Sequence, residues 1–415
     1  MMKVAILGFG TVGSSVARIL CDLKPEGLQL SHIFNRGVAR KKADWVPSSV
    51  VWTEDFDEVL RSDVDIIVEL VGGLELPGAW VRRALEAGKS VVTGNKKLIA
   101  KHGIELDILA RHKSAHLLYG AAVAGGIPVI PGLQQGLAGD RITRIEGILN
   151  GTCNYIFSRM EGGDAFADVL RDAQQLGYAE ANPSEDVDGY DARAKLVILS
   201  RIALHADLDV ESVACRSITD VDAVDLVYAR DLNCTIRQIA KAELRPNGSS
   251  AGVSAAVGPM LVPLRSPFAW LRGTENMVLV SGQYGGDVVF SGHGAGGNPT
   301  AVAVVSDLIS LAHGSKAVDL PSRAAQVSGE FELRHYIRFI VQDRPGIVAE
   351  IAGALASEKI NIDALFQRTG YEKGNLPFVV TVEPCAASAL RRAIDRIANA
   401  GWLAHPPLDM PILGE

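Results

Sequence analysis

Apolar runs alternate with amphipathic stretches through the first third of the chain. Residues 3–8, 28–34, 64–70 and 90–93 read as buried strands, and residues 11–23 repeat their apolar positions at the helical period. Strands alternating with helices predict a parallel sheet with crossover connections. From 147 to about 263 the pattern changes to longer helical pieces, at 164–176 and 192–204, separated by an acidic loop at 180–191, which predicts a second, α+β domain. Residues 290–313 return to a strand, a glycine turn and a helix, and close back onto the first domain. The polar residues 321–330 predict a linker. Beyond it come a strand (336–341), a turn (343–346), a helix (347–358), two strands (362–368 and 377–383) and a helix (387–398), a ferredoxin-like βαββα(β) order. The expected fold class is α/β, with domains at 1–130 (completed by about 290–320), 131–290 and 334–415.

Composition narrows this picture. At roughly 150 residues per domain, 415 residues agree with two to three domains. With 48% hydrophobic and 21% charged residues the chain is not disordered or fibrous. Lys and Arg number 41 against 48 for Asp and Glu, and 41 − 48 = −7, a field that repels nucleic acid, so no nucleic-acid partner is expected. Five cysteines, odd in number and without a C-x-x-C pair, predict neither disulfides nor a zinc site, and reduced thiols fit a cytoplasmic location. Residues 4–17 have the apolar character of a signal peptide, but their glycines belong to the motif described next. Residues 117–139 are long enough to span a bilayer, yet Gly125, Gly126, Pro128, Pro131, Gly132, Gln134 and Gln135 interrupt them. Those breakers suit buried strand and turn backbone, and no membrane partner is expected.

Gly8-Phe9-Gly10-Thr11-Val12-Gly13 matches G-x-G-x-x-G directly after an apolar strand and at the start of a helix. Gly8 permits the tight turn, Gly10 lets backbone approach a pyrophosphate, and Gly13 allows close helix packing, so dinucleotide binding is expected. At the end of the second strand, where an acidic residue would select NAD, stands Asn35, followed by Arg36 and then Arg40, Lys41 and Lys42. A guanidinium there holds a 2′-phosphate, which predicts NADP; the competing explanation is a solvated basic helix start.

Two further groups carry candidate chemistry. Lys96 and Lys97 follow a buried strand, where open parallel sheets place ligand-binding residues, although a surface lysine pair has the same look. The acidic stretch from Glu180 through Asp186 to Asp191 runs into a helix bearing Lys195, and Asp191 and Lys195 are four apart, on one helical face. By spacing alone that pair is either functional or an ordinary surface ion pair.

The residues that carry a family resemblance are I-L-G-F-G-T-V-G at 6–13, E-L-V-G-G at 69–73, V-V-T-G-N-K-K at 91–97, V-A-G-G-I-P-V-I at 123–130, L-N-G-T-C-N-Y-I at 149–156, L-G-Y-A-E-A-N-P-S-E-D-V-D-G-Y-D-A-R-A-K-L at 176–196 and G-H-G-A-G-G-N-P-T-A at 292–301. In these blocks the chain resembles homoserine dehydrogenases of the type fused to a C-terminal ACT regulatory domain. The resemblance implies a Rossmann domain, a catalytic and dimerisation domain, an effector module, and a homodimer or homotetramer. It implies the reversible reduction of L-aspartate 4-semialdehyde to L-homoserine by NAD(P)H, in threonine and methionine biosynthesis. Carried over, the catalytic residues are Lys195, Lys96 and Asp191, and the substrate contacts are Glu180, Asp186, Thr152 and Tyr178. Lys195 is implied as general acid with Asp191 orienting it, and Lys96 as a second relay or nicotinamide-side group. Gly72, Thr93, Lys96 and Gly296 join Gly8 to Gly13, Asn35 and Arg36 around the cofactor. A Na⁺ site would fall on the carbonyls of Val123, Gly125 and Ile127, but Gly120 stands where related sequences carry that site's glutamate. The turn Asp343-Arg344-Pro345-Gly346 resembles the effector turn of an ACT domain, and with Asn361 on the neighbouring strand start it implies L-threonine as effector, bound where two such modules pair; the alternative is a module that only dimerises. Rivals are a sensor that keeps both modules without chemistry, phosphoglycerate dehydrogenase, whose fingerprint lies mid-chain, and aspartate-semialdehyde dehydrogenase, which needs a nucleophilic cysteine. Cys153 is expected only to pack.

Overall fold

A computed structural model describes residues 1–245, 252–314 and 322–414. Pro321 and the stretch 315–320, at the edges of the expected linker and of the segment expected to complete the first domain, lie outside the described residues. The chain divides into two compact units, the first formed by 1–145, 194–210 and 275–325 and the second by 146–193, 211–274 and 326–415.

The first unit is built on six parallel strands, β1 (Met2–Leu7), β2 (Leu28–Phe34), β3 (Val51–Thr53), β4 (Ile66–Glu69), β5 (Ser90–Thr93) and β6 (Leu117–Leu118), in the order β3-β2-β1-β4-β5-β6. This is the doubly wound order, and its switch point lies between β1 and β4, where ligands bind outside the strand ends. Val4 and Ile6 on β1 pack into one core with Val16 and Leu20 of the helix Thr11–Leu23 and with Val304 and Leu308 of the helix Gly297–Ala312. The expected closure of 290–313 onto this domain therefore has a physical cause, an apolar stripe that fills the core beside β1. Residues 117–139 form β6 and short helical turns, because their glycines and prolines break each turn within a few residues. None of the described helices is long and apolar enough to cross a membrane.

In the second unit the strands Cys234–Leu244 and Gly252–Pro263 pair antiparallel, with the helices Gly151–Met160 and Phe166–Gln175 beside them. The C-terminal module has four strands ordered Leu403–Ile412, Glu332–Val341, Leu376–Ala386, Ile362–Gln367, with the helices Ile347–Ser357 and Ala387–Ile397. That is the ferredoxin-like 4-1-3-2 arrangement, and its core gathers Ile337, Phe339, Ile351, Leu355, Leu390 and Trp402.

Candidate active site

The nucleotide turn is held from both sides. The Gly8 N–H donates to the Phe34 carbonyl at 2.9 Å, and the Phe9 N–H donates to Asn35 Oδ1 at 3.1 Å. Asn35 thus braces the turn from the end of β2, while the Phe9 ring is buried edge-on against Trp52, 4.9 Å between centroids, so only its backbone belongs to the site. Gly10 precedes the helix Thr11–Leu23 without a side-chain cap, which leaves the first-turn N–H groups oriented for an anion. A Cβ on Gly13 would fall on the Gly8 carbonyl oxygen, so only glycine fits there. Gly296 (φ +114°) precedes Gly297, whose missing Cβ leaves room for Thr11 and Ser15, and this brings the second glycine turn against the first. Arg36 is exposed, and its loop is fixed by Glu54, which accepts the Gly37 and Val38 N–H groups at 3.1 and 2.7 Å.

Lys96 opens the helix Lys96–His112 behind an Asn95 cap and is half-buried, whereas Lys97 is exposed. Asn95 Oδ1 accepts the Leu98 N–H at 3.2 Å and its Nδ2 donates to the Gly73 carbonyl at 2.7 Å. Thr93 donates its hydroxyl to Glu69 at 2.7 Å, and Glu69 also accepts the Val71 and Gly72 N–H groups. Sequence reasoning missed Glu69 and Asn95. A carboxylate ending the wholly apolar run Ile66-Ile67-Val68 was the available signal.

The helix Tyr190–Ala203 begins before the predicted 192–204, so Asp191 is helical and one turn from Lys195; both are buried, at 5% and 9% exposure. Neither residue lies on the surface. Asn150, another residue the sequence did not single out, caps the helix Gly151–Met160 by accepting the Cys153 N–H. Its Nδ2 donates to Asp186 Oδ1 at 2.7 Å and to Asp191 Oδ2 at 2.9 Å, so one amide holds both carboxylates. Thr152 donates to the Tyr178 carbonyl at 2.7 Å, and Tyr178 stands edge-on to Tyr155. Glu180 is exposed, with its backbone carbonyl tied to Gln174. Cys153 is fully buried with Sγ 3.2 Å from the Asp186 carbonyl, a packing position. Further along the same long helix, Arg201 donates to the Ile99 and Ala100 carbonyls at 2.8 and 3.0 Å, which fixes the segment carrying Lys195 against the helix that Lys96 opens.

Gly120 is buried, and its N–H donates to Asp307 Oδ2 at 2.8 Å. A Cβ there would lie 2.8 Å from Asp307 Oδ1, so a carboxyl from the helix Gly297–Ala312 fills the space of a side chain at 120. Burial pushes the Asp307 carboxyl up to about 7, with only the Gly120 N–H opposing. The folded state then holds a proton that the unfolded chain has released, so the contribution to stability is present below the ordinary carboxylate range and is lost as pH rises to about 7. Asp307→Asn is expected to flatten the fall in melting temperature between about pH 4 and 7; an unchanged slope in thermal unfolding would remove Asp307 as its source.

In the C-terminal module, Asp343, Gly346 (φ +97°) and Gln367 line a cleft of about 570 Å³ together with Val341 and Ile347. Asn361 does not line it, and instead donates to Glu383 at 3.0 Å. Among the described residues no group of three or more His, Cys, Asp and Glu side chains could hold a metal ion, and the five cysteines are free.

Family models for the NAD-binding domain of homoserine dehydrogenase match residues 8–120, for homoserine dehydrogenase residues 128–309, and for the ACT domain residues 335–401. The homoserine dehydrogenase of Corynebacterium glutamicum is 37% identical over 414 residues, spanning 94% of this chain and 91% of that one. The Synechocystis enzyme of the same name is 38% identical and spans 99% of each. Among solved structures, a homoserine dehydrogenase from Thiobacillus denitrificans superposes with a TM-score of 0.91 at 33% identity, covering 99% of this chain and 98% of that one. A hyperthermophilic archaeal homoserine dehydrogenase mutant in complex with NADPH aligns with a TM-score of 0.62 at 25% identity, over 74% of this chain and 97% of its own. With matches that run from the nucleotide turn through the acidic loop to the last module, the chain belongs to the homoserine dehydrogenase family, in the form that carries an ACT domain.

Proposed function

We propose that the protein interconverts L-aspartate 4-semialdehyde and L-homoserine with Lys195 as the proton donor. The observation that carries this assignment is the buried Asp191 one helical turn before the buried Lys195, with Asn150 fixing the carboxylate. The glycine turns at 8–13 and 296–297 fit a dinucleotide, and the bound nicotinamide supplies the hydride. As the aldehyde oxygen gains negative charge, an ammonium beside it is favoured more in the transition state than in the ground state. Lys195 supplies that charge and then the proton; Asp191 keeps its ammonium oriented. Lys96, which opens the helix after β5, serves the nicotinamide side. The exposed Glu180 takes the substrate ammonium, and Asp186, Thr152 and Tyr178 shape the same pocket wall.

Cofactor choice rests on Arg36. It is exposed on a loop that Glu54 holds in place, and a guanidinium there favours a 2′-phosphate. With aspartate semialdehyde as substrate, kcat/KM for NADPH is expected to exceed that for NADH about tenfold or more, and Arg36→Ala to bring the ratio near one. A higher kcat/KM with NADH in the wild-type protein would overturn this, and no turnover with either cofactor would overturn the reaction itself.

Two ligands complete the proposal. The Asp307 carboxyl, in the space of a side chain at 120, once it ionises above about pH 7, and the carbonyls of Val123, Gly125 and Ile127 would be hard oxygen donors of the kind that suit Na⁺. The Ile127 carbonyl also accepts the Val129 N–H and keeps a second lone pair. The cleft at Asp343 and Gly346 has the size for an amino acid and is assigned to L-threonine, with a regulatory role. Each ligand is expected to raise the melting temperature of the cofactor-free protein, and threonine to lower the initial rate; the absence of either shift would remove that ligand.

A further inference from the structure

Glu69 ends β4 at the switch-point side of the sheet, and its side chain is completely buried. A carboxylate so placed is costly unless its lone pairs are filled. Here Oε1 accepts the Val71 N–H at 2.8 Å and the Gly72 N–H at 2.9 Å, while Oε2 accepts the Thr93 hydroxyl at 2.7 Å. The Thr93 oxygen in turn accepts the Asn95 N–H at 3.0 Å, and Asn95 returns to the turn through the Gly73 carbonyl. The ring of contacts is closed, joining the turn 70–73 after β4 to the residues 93–96 that start the helix of Lys96.

The direction of those bonds has a chemical consequence. Gly72 and Gly73 hold φ of +76° and +91°, a backbone that could aim successive N–H groups outward at an anion. Glu69 draws the Val71 and Gly72 N–H groups inward instead. Across a trans peptide the preceding carbonyl points the opposite way, and the Leu70 carbonyl oxygen does lie 3.0 Å from where a Gly8 Cβ would be. The turn therefore offers carbonyl acceptors toward the nucleotide turn. It suits a group that donates hydrogen bonds, such as an amide NH₂, and does not suit a phosphate.

We propose that Glu69 is a positioning residue: through its three hydrogen bonds it holds the turn 70–73 with the Leu70 and Val71 carbonyls outward for the carboxamide end of the nicotinamide, and through Thr93 it sets the start of the Lys96 helix. The inference rests on the reading of Gly72 and Lys96 as nicotinamide-side groups. Its test compares two ligands on the full-length protein by calorimetric titration, NADPH and 2′-phospho-ADP-ribose, which lacks the nicotinamide. Glu69→Ala is expected to weaken NADPH about tenfold while leaving 2′-phospho-ADP-ribose within about twofold. Glu69→Gln keeps the volume and the Oε1 acceptor but turns a donor toward Thr93, and is expected to weaken NADPH by a smaller factor. Thr93→Val is expected to lower kcat more than it raises the KM for NADPH, with Thr93→Ser recovering at least half of the lost rate. Equal weakening of both ligands, or of neither, would overturn the proposal, and Glu69→Gln answers the question if the alanine variant does not fold. Because the titrations contain no semialdehyde, a wild-type protein that fails to reduce it while Glu69→Ala still loses only NADPH would sink the reaction and keep the positioning role.

Discussion

Replacing Lys195 by alanine lowers kcat about a thousandfold and leaves the Kd for NADPH within about twofold. Proton donation and charge stabilisation at one oxygen both disappear with the ammonium, and each is worth one to a few powers of ten. Lys195→Arg is expected to recover little. It restores a charge, but the guanidinium does not release its proton and is a different shape from an ammonium in a site where Lys195 is 9% exposed. Small primary amines added to the alanine variant are expected to restore part of the rate, with a dependence on amine pKa that a structural defect would not produce. Asn150→Ala, which frees Asp191 and Asp186 from their shared amide, is expected to act in the same direction with a smaller loss. If Lys195→Ala kept more than about a tenth of its kcat while Lys96→Ala lost a thousandfold, the proton would belong to Lys96 and the two roles would exchange.

The parts of this arrangement that were legible in the sequence share one property: each is a local pattern. The strand-turn-helix around Gly8 to Gly13 declares itself by its glycine spacing, with Gly8 and Gly13 in places that only glycine fits, and Asp191 and Lys195 declare a shared face by spacing four. The C-terminal module is legible for the same reason, since its strands and helices follow one another without insertion. What was not legible depends on contacts distant in sequence. Nothing near Asn150 announces that its amide meets carboxylates 36 and 41 residues away. Asp307 is 187 residues from Gly120, so the carboxyl that fills the space of a side chain at 120 could not be paired with it by inspection. The engagement of Asn35 Oδ1 by the Phe9 N–H, 26 residues away and set by the β1–β2 pairing, is likewise unmarked in the local sequence. The division of the long helix Tyr190–Ala203 between two units, after Arg193, also has no local mark.

Removing the Asp225 carboxylate destabilises the second unit by about 3–5 kcal/mol. Asp225 lies on the helix Ala223–Asp231 and is fully buried, where it accepts the Tyr336 hydroxyl at 2.7 Å, Arg338 Nη1 at 2.5 Å and the Asp222 N–H at 2.8 Å. Tyr336 and Arg338 belong to the strand Glu332–Val341 of the ACT module, so this one carboxylate fastens the module's sheet to the helix beside it. Asp225→Ala leaves Arg338, 7% exposed, as a buried charge whose remaining bond is a 3.4 Å contact to the Asp220 carbonyl. The loss is dominated by that stranded cation more than by the attraction removed. Asp225→Leu combined with Arg338→Met is expected to recover the share of the loss due to the stranded cation, because neither partner is then left charged, while the buried Tyr336 hydroxyl still lacks its acceptor; neither single change recovers that share. Denaturant unfolding of the wild type, Asp225→Leu, Arg338→Met and the double variant, followed by a probe in the second unit, measures the cycle, and Asp225→Ala is unfolded beside them; a loss below about 1 kcal/mol for Asp225→Ala, or a double variant worse than both singles, would contradict this coupling. The same unit holds Asp186 of the acidic stretch, whose carbonyl accepts from Gln238 on the strand that follows this helix. A variant that loosens Asp225 without unfolding the protein is therefore expected to weaken the response to threonine before it weakens catalysis, since the tie to the ACT strand is cut while Asn150 still holds Asp186 and Asp191.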